Sequence, residues 1–142
     1  MLYLDSSAIL KLVLEESETS ALRAWLGERP LSVTSGVAPV EVRRTVRLFA
    51  ETALTGAPRG QNTASDLNAR TEAVMSGIVV LTIDDAILSR AAALDPPLLR
   101  TLDAVHLASA LSLEELEAFV TYDHDLGEAA HQAGLVVTSP GT

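Results

Sequence analysis

Four acidic residues occur where predicted strands end or predicted helices begin. Asp5 directly follows the apolar run MLYL, and Asp123 directly follows EAFVTY. Glu41 and Asp103 fall in the first turns of two further predicted helices. In an open parallel sheet, the carboxyl ends of the strands and the N-termini of the following helices meet at one edge. The sequence therefore predicts that these four carboxylates project at the same edge of a sheet.

Carboxylates gathered in this way need a compensating cation. Two unit charges about 4 Å apart interact by about 4 kcal/mol at an effective dielectric constant near 20. Lys11 is the only lysine in the chain, and we do not expect it at this edge. Several oxygen ligands favour a hard divalent cation, so we expect Mg²⁺, with Mn²⁺ as its substitute.

Helix capping is the alternative explanation of each acid taken singly. An acid near a helix N-terminus stabilises the helix by about 0.3–1 kcal/mol. Asp84 and Asp85, which follow the run GIVVLTI, are assigned to this role. Capping does not explain why acids directly follow two strands and also begin two other helices at the same edge.

The elements that must position these acids alternate between short apolar runs and amphipathic stretches. We expect Ser6 or Ser7 to cap the first helix, a long helix from about Val40 to Leu54, and a loop from Thr55 to Asn62. Strands separated by helices indicate right-handed βαβ units. The predicted fold is a three-layer α/β/α domain over residues 1–142 with a central, mainly parallel sheet. The expected strands are MLYL, LSVTS, GIVVLTI, EAFVTY and LVVTS, and the β-branched run GIVVLTI is expected to be buried.

The composition excludes several classes of protein. The chain is 48% hydrophobic, which excludes a disordered chain, and it has no cysteine, which excludes a disulfide scaffold and a zinc ribbon. Its net charge of −9 disfavours a surface that holds nucleic acid by charge alone. No signal peptide or membrane span is predicted, so we expect a cytoplasmic protein without membrane contact.

The segments around the four acids resemble the PIN domain, and most closely the VapC-type ribonuclease toxins of type II toxin–antitoxin pairs. LDSSAILKLVLEE, positions 4–16, is similar to the opening strand and helix of that family, and VAPVEVRRTV carries its helical acid, Glu41. LRTLDAVHLASAL, positions 99–111, is the most specific match and places Asp103 at the family's metal position. VTYDHDLGEAA, positions 120–130, matches the closing acidic motif with Asp123.

This resemblance implies a Mg²⁺-dependent endoribonuclease that is a homodimer and is neutralised by a small cognate VapB-like antitoxin. Carboxylates that hold one or two Mg²⁺ ions can activate water and stabilise charge on a phosphodiester. The resemblance makes Asp5 and Asp103 the principal ligands. Glu41 and Asp123 complete the catalytic and metal-binding set, directly or through water.

Neighbouring polar residues have two interpretations each. Ser7 and Thr121 either orient a metal-bound water or phosphate oxygen, or serve as a helix cap and a buried strand hydroxyl. Arg44 and Arg100 either contact RNA phosphates or balance local acids. His106, three residues after Asp103, is suited either to metal or acid–base work or to the role of a partly buried structural histidine, and we favour the structural role.

Rival functions lack residues that they need. A phosphoacceptor receiver domain needs a lysine after a late strand, and a haloacid-dehalogenase-like phosphatase needs an acid where Ser7 stands. A von Willebrand A-type adhesion module needs a hydroxyl where Ile9 stands. The remaining alternative is a catalytically silent PIN-like module that only binds partners. The complete set of four acids argues against it, because such a module has no need for mutually repelling carboxylates.

Overall fold

Strands and helices alternate along the chain in a computed structural model that describes residues 1–27, 31–56 and 64–142, with the backbone alone for 53–56. The first half contains β1 (Leu2–Leu4), α1 (Ser6–Leu14), α2 (Thr19–Leu26), β2 (Ser32–Ser35), α3 (Ala38–Gly56) and α4 (Ala64–Ser76). The second half contains β3 (Ile78–Leu81), α5 (Asp85–Ala92), α6 (Thr101–Leu111), β4 (Ala118–Val120), α7 (His124–Gln132) and β5 (Val137–Thr138).

The five strands form one parallel sheet in the order β3-β2-β1-β4-β5. The chain builds outward from β1 through β2 to β3, then returns to the other side of β1 to add β4 and β5. Leu4 at the end of β1 is in register with Val120 at the end of β4. The strand order therefore reverses between β1 and β4, and the crevice at the carboxyl ends of such a pair is where open α/β sheets bind ligands.

Helices cover both faces of the sheet. Successive side chains of a strand point to opposite faces, so the apolar residues of β1 and β4 contribute to a core on each side. Leu4 and Val120 pack into a core with α1, α2, α3 and α4 on one face. Tyr3 and Phe119 pack into a second core with α6 and α7 on the other face, where their rings stack at 5.0 Å. This arrangement confirms the predicted three-layer α/β/α fold.

The prediction that GIVVLTI is a buried strand is wrong in one respect. Its central part does form β3, but Val79 and Val80 are 44% and 43% exposed. Within the described residues β3 lies at the edge of the sheet and pairs only with β2. A run of β-branched residues predicts a strand, but it does not say which position in the sheet that strand takes.

Two helix boundaries also differ from expectation. Asp5, and not a serine, caps α1, since its carboxylate accepts a hydrogen bond from the Ala8 amide. Helix α3 extends through Thr55 and Gly56, and the rest of the predicted loop lies outside the described residues. Among the helices of the described ranges, none has the length and apolarity that crossing a membrane requires.

Candidate metal centre

Asp5 lies at the carboxyl end of the central strand β1 and is 3% exposed. Its carboxylate accepts hydrogen bonds from the Ala8 amide at 2.9 Å, the Ser7 hydroxyl at 2.7 Å and the Thr121 hydroxyl at 2.7 Å. Ser7 also accepts a bond from the Tyr122 amide, so donors from both sides of the crevice between β1 and β4 hold the carboxylate. The orientation of Asp5 is therefore fixed by the junction of two neighbouring strands.

Glu41 reaches the same edge from the first turn of α3. Its Oε2 atom accepts a hydrogen bond from the Ser6 hydroxyl at 2.7 Å and contacts Nε2 of His106 at 2.8 Å. Ser6 begins α1 and His106 lies on α6, so three helices meet at this carboxylate.

Asp103 and Asp123 are brought together by Arg100. The Arg100 Nε atom donates to Asp103 Oδ2 at 2.6 Å, and an amino group of the same guanidinium donates to Asp123 Oδ2. Asp103 is 9% exposed in the first turn of α6, whereas Asp123 caps α7 through the Leu126 amide. One cationic group thus lies between carboxylates from two different helix N-termini.

The surroundings shift the pKa values of the four acids in two directions. Burial raises the pKa of Asp5 despite its hydrogen-bond donors, and burial also raises the pKa of Asp103 despite Arg100. Burial alone would raise the pKa of Glu41. Hydrogen bonds from His106 and Ser6 outweigh burial, so the pKa of that carboxyl is lowered. Burial is likewise outweighed at Asp123, where the Leu126 amide and Arg100 lower the pKa.

The donor chemistry of this edge fits a hard cation such as Mg²⁺, because the candidate ligands are carboxylate oxygens. Two of the carboxylates, those of Asp103 and Asp123, already converge on one cationic group. In the part of the chain that the structure describes, no three histidine, aspartate or glutamate side chains are gathered closely enough to hold one ion. The four-carboxylate site therefore stays a prediction, and the ion pairs of Arg100 with Asp103 and Asp123 match the interpretation that this arginine balances local acids.

The supporting residues are placed as follows. Ser7 and Thr121 both donate to Asp5, so each orients a carboxylate whatever else it does. Arg44 is exposed on α3 and makes no ion pair with the described residues, whereas its neighbour Arg43 pairs with Glu72 at 2.9 Å. The exposed guanidinium of Arg100 is occupied by two carboxylates.

Helix capping does not distinguish the acids of the candidate site from other acids such as Asp84, because both kinds cap helices. Asp84 caps α5 through the Ile87 amide at 2.8 Å, as predicted, and it is exposed. Asp5 and Asp123 also cap helices, but each has hydroxyl or guanidinium partners in addition. Burial and side-chain partners, which a sequence does not display, distinguish the two kinds of acid.

His106 is a structural histidine, as expected, but it is almost fully buried, and its partners and the contact of Ser6 with Glu41 were not predicted. His106 is 1% exposed and bonds Glu41 through one ring nitrogen and Tyr3 through the other. The only sequence signal was its position three residues after Asp103, on the same helix face. Ser6 was considered only as a helix cap, although it is adjacent to Asp5 and its hydroxyl reaches Glu41.

Comparison with known proteins places this architecture in a family. The model of the PIN domain matches residues 2–132. Ribonuclease VapC47 of Mycobacterium tuberculosis is 37% identical, over 99% of this chain and 98% of its own. Ribonuclease VapC35 of the same species is 38% identical with the same coverage. A solved toxin–antitoxin complex from Klebsiella pneumoniae shares the fold, with a TM-score of 0.61, 21% identity and 87% of each chain covered. The chain therefore belongs to the PIN-domain family and to its VapC-type members.

Proposed function

We propose that this protein is a Mg²⁺-dependent endoribonuclease toxin of a toxin–antitoxin pair, and that residues 1–142 form its single PIN domain. It hydrolyses RNA phosphodiester bonds at a site built from Asp5, Glu41, Asp103 and Asp123. Mn²⁺ substitutes for Mg²⁺, and the enzyme acts in the cytoplasm, where its RNA substrate is found. Its VapC-type relatives, which are named ribonucleases, support the reaction class.

One observation carries the proposal: two buried carboxylates, Asp5 and Asp103, stand at the carboxyl edge of the sheet with raised pKa values. Burial without a full complement of positive charge makes these carboxylates costly in the folded protein. A protein that only needed caps would be served by exposed acids such as Asp84. A bound divalent cation offsets this cost, so the arrangement favours a metal site over a purely structural one.

Each residue then has a defined task. Asp5 and Asp103 hold the metal, and Glu41 and Asp123 complete the set directly or through water. A bound Mg²⁺ supplies an acidic centre that activates water and stabilises charge on the phosphodiester. Ser7 and Thr121 fix Asp5 by donating to its two oxygens.

Two arginines are suited to RNA. Arg44 lies three residues after Glu41 on α3, so the two side chains share a helix face. Its exposed guanidinium can bind a phosphate beside the site in a bidentate manner. Arg100 would be available for the same purpose if a bound metal compensated the charges of Asp103 and Asp123 in its place.

We further propose that two copies form a homodimer and that a VapB-like antitoxin neutralises the enzyme. A dimer contributes Arg44 and Arg100 from both subunits around two sites, which offsets the net charge of −9 toward RNA. The antitoxin is expected to lay an apolar segment along α2 beside Trp25 and Leu26, which pack only partly into the core. Light scattering of the purified protein at micromolar concentration tests the dimer, and a monomer there would contradict it.

The test of the reaction is incubation of the purified protein with labelled single-stranded and structured RNAs, with Mg²⁺ and with chelator. We expect cleavage with Mg²⁺ that stops in chelator. Asp5→Asn and Asp103→Asn should abolish it with an unchanged far-UV spectrum, and Asp84→Asn, the matched control at an exposed cap, should cleave normally. Cleavage that persists in chelator, or no cleavage of any RNA, would contradict the proposal; the second result would favour the silent partner-binding module.

A further inference from the structure

His106 joins the candidate site to the interior of the sheet. Its ring is 1% exposed on α6, and it lies 2.8 Å from Glu41 Oε2 through Nε2 and 2.8 Å from the Tyr3 hydroxyl through Nδ1. His106 lies on α6, Glu41 on α3 and Tyr3 on β1. In sequence, Glu41 is 65 residues and Tyr3 is 103 residues away from the histidine. The contacts therefore exist only because the fold brings these three elements together.

The hydrogen positions follow from what each partner is able to donate. The Glu41 carboxylate has only acceptor oxygens, so Nε2 must carry the hydrogen of the 2.8 Å bond. A neutral imidazole then has a bare Nδ1, which accepts the hydrogen of the Tyr3 hydroxyl. The network thus assigns the Nε2–H tautomer to His106, with Glu41 and the Ser6 hydroxyl, which lies 3.1 Å from Nε2, on one side of the ring and Tyr3 on the other.

This ring restricts a side chain that would otherwise be mobile. Glu41 lies in a turn of α3 in which Val40 and Arg43 are exposed to solvent. Fixing a glutamate side chain in one conformation costs about 1.5–2 kcal/mol of side-chain entropy, so other groups must hold it. The Ser6 hydroxyl and the His106 ring both bind the same oxygen, Oε2. The other oxygen, Oε1, receives no hydrogen bond from these two groups and is left for a ligand.

We infer that His106 is a positioning residue of the metal site: its Nε2–H holds Oε2 of Glu41, and its Nδ1 is anchored by Tyr3, which leaves Oε1 of Glu41 for the metal. The inference rests on the proposed function. Ligand-orienting partners of this kind typically change metal affinity or activity about 10–100-fold when they are removed.

The test combines metal binding with a rescue variant. Titration calorimetry with Mn²⁺ should show affinity about tenfold or more weaker for His106→Leu, which has no donor. His106→Gln keeps an amide N–H directed at Glu41 and should recover most of the affinity. In a Glu41→Gln background, His106→Leu should cause no further loss, because the group that it positions is already altered. His131→Leu and His131→Gln are matched controls at an exposed histidine and should bind Mn²⁺ like wild type.

A second measurement does not depend on how the histidine variants fold. Nitrogen-15 spectra of histidine-labelled protein should show His106 as the Nε2–H tautomer, and Glu41→Gln should shift the Nε2 resonance. An Nδ1–H tautomer would overturn the inference, as would His106→Leu that folds and binds Mn²⁺ like wild type. Wild-type protein that binds no Mn²⁺ and cleaves no RNA would overturn the proposed function and this inference with it; unchanged binding by His106→Leu overturns this inference alone.

Discussion

The Nε atom of Arg100 donates to Oδ2 of Asp103 at 2.6 Å, although the arginine side chain is 68% exposed and the aspartate side chain only 12%. The same guanidinium also bonds Asp123. An arginine on the surface thus compensates a largely buried carboxylate, at the place where the metal is proposed to bind. Arginine and metal are therefore expected to compete for the same oxygens.

This competition predicts the behaviour of Arg100→Gln. In chelator the variant should melt below wild type, because two nearby carboxylates lose their shared cation. An exposed ion pair contributes about 0–1 kcal/mol, which corresponds to about 3 °C or less for a domain of this size. Adding Mg²⁺ should raise the melting temperature of the variant more than that of wild type, since the metal no longer has to displace a guanidinium. Thermal melts with and without metal measure both effects.

Arg43→Gln is the control for this experiment. It removes an ion pair between two exposed side chains, Arg43 and Glu72, neither of which is a candidate metal ligand. Its melting temperature should respond to Mg²⁺ as wild type does. If Arg100→Gln and Arg43→Gln gain equally from the metal, Arg100 does not occupy a metal position.

A second prediction concerns the hydroxyl of Thr121. This residue is 1% exposed, donates to Asp5 at 2.7 Å and accepts from the Asp123 amide at 3.0 Å. Thr121→Val keeps the shape but leaves the Asp123 amide and an Asp5 oxygen without this partner, which costs about 1–3 kcal/mol. We expect a lower melting temperature and weaker RNA cleavage, whereas Thr121→Ser should retain most of both. Thr45→Val, at an exposed position of α3, is the control; a valine variant at 121 that matches it in both assays would show that the hydroxyl is dispensable.

The sequence predicted the layers of the fold and the edge at which the acids lie, because hydrophobic periodicity and strand–helix alternation are local signals. It did not predict that β3 is the exposed edge strand, since the run from Ile78 to Leu81 looks the same at any position in a sheet. The order of strands depends on how the helices pack, and this information is spread over the whole chain.

The candidate site was predictable in its acids and not in the groups that hold them. Asp5 and Asp123 follow recognisable strands, and Glu41 and Asp103 lie in the first turns of recognisable helices, so their positions can be predicted from local patterns. The bond from Arg100 to Asp123 spans 23 residues, and the bond from His106 to Glu41 spans 65. Such contacts are set by the approach of α6 to α3 and α7, which no local pattern encodes. The sequence therefore leaves open whether Arg100 balances acids or contacts RNA, and the fold pairs it with Asp103 and Asp123.

A third prediction tests how tightly the turn before Glu41 is packed. A Cβ atom at Gly36 would lie 3.0 Å from the Leu81 carbonyl oxygen and 3.2 Å from Ile83 Cγ1. The backbone oxygen cannot move aside without shifting β3, so Gly36→Ala should destabilise the protein by about 1–3 kcal/mol, as overpacking does. Denaturant unfolding measures the loss. At Gly77 the nearest contact of the added atom is an ordinary 3.6 Å, so Gly77→Ala should be tolerated; equal losses at the two glycines would contradict the packing argument.

The last prediction tests the metal site without knowledge of the RNA. Burial raises the pKa of Asp103 even though Arg100 is bound to it, so its charged form is less favourable in the folded protein than in the unfolded chain. Asp103→Asn keeps the side-chain volume and removes that charge. In chelator at neutral pH and low salt, the variant should therefore melt above wild type, by about 3 °C for each kcal/mol of relief. Mg²⁺ or Mn²⁺ should then stabilise wild type by mass action and do much less for the variant.

Asp84→Asn separates this behaviour from capping. Asp84 is exposed and accepts a hydrogen bond from the Ile87 amide, and asparagine is about as good an N-cap as aspartate. Its replacement should therefore leave the melting temperature in chelator near that of wild type, and the gain on adding metal should be the full wild-type gain. The two variants should differ in chelator because Asp103 is buried and Asp84 is exposed, and they should differ in their gain from metal only if Asp103 is a ligand. Matching responses of Asp103→Asn and Asp84→Asn to chelator and metal would rule out the four-carboxylate site.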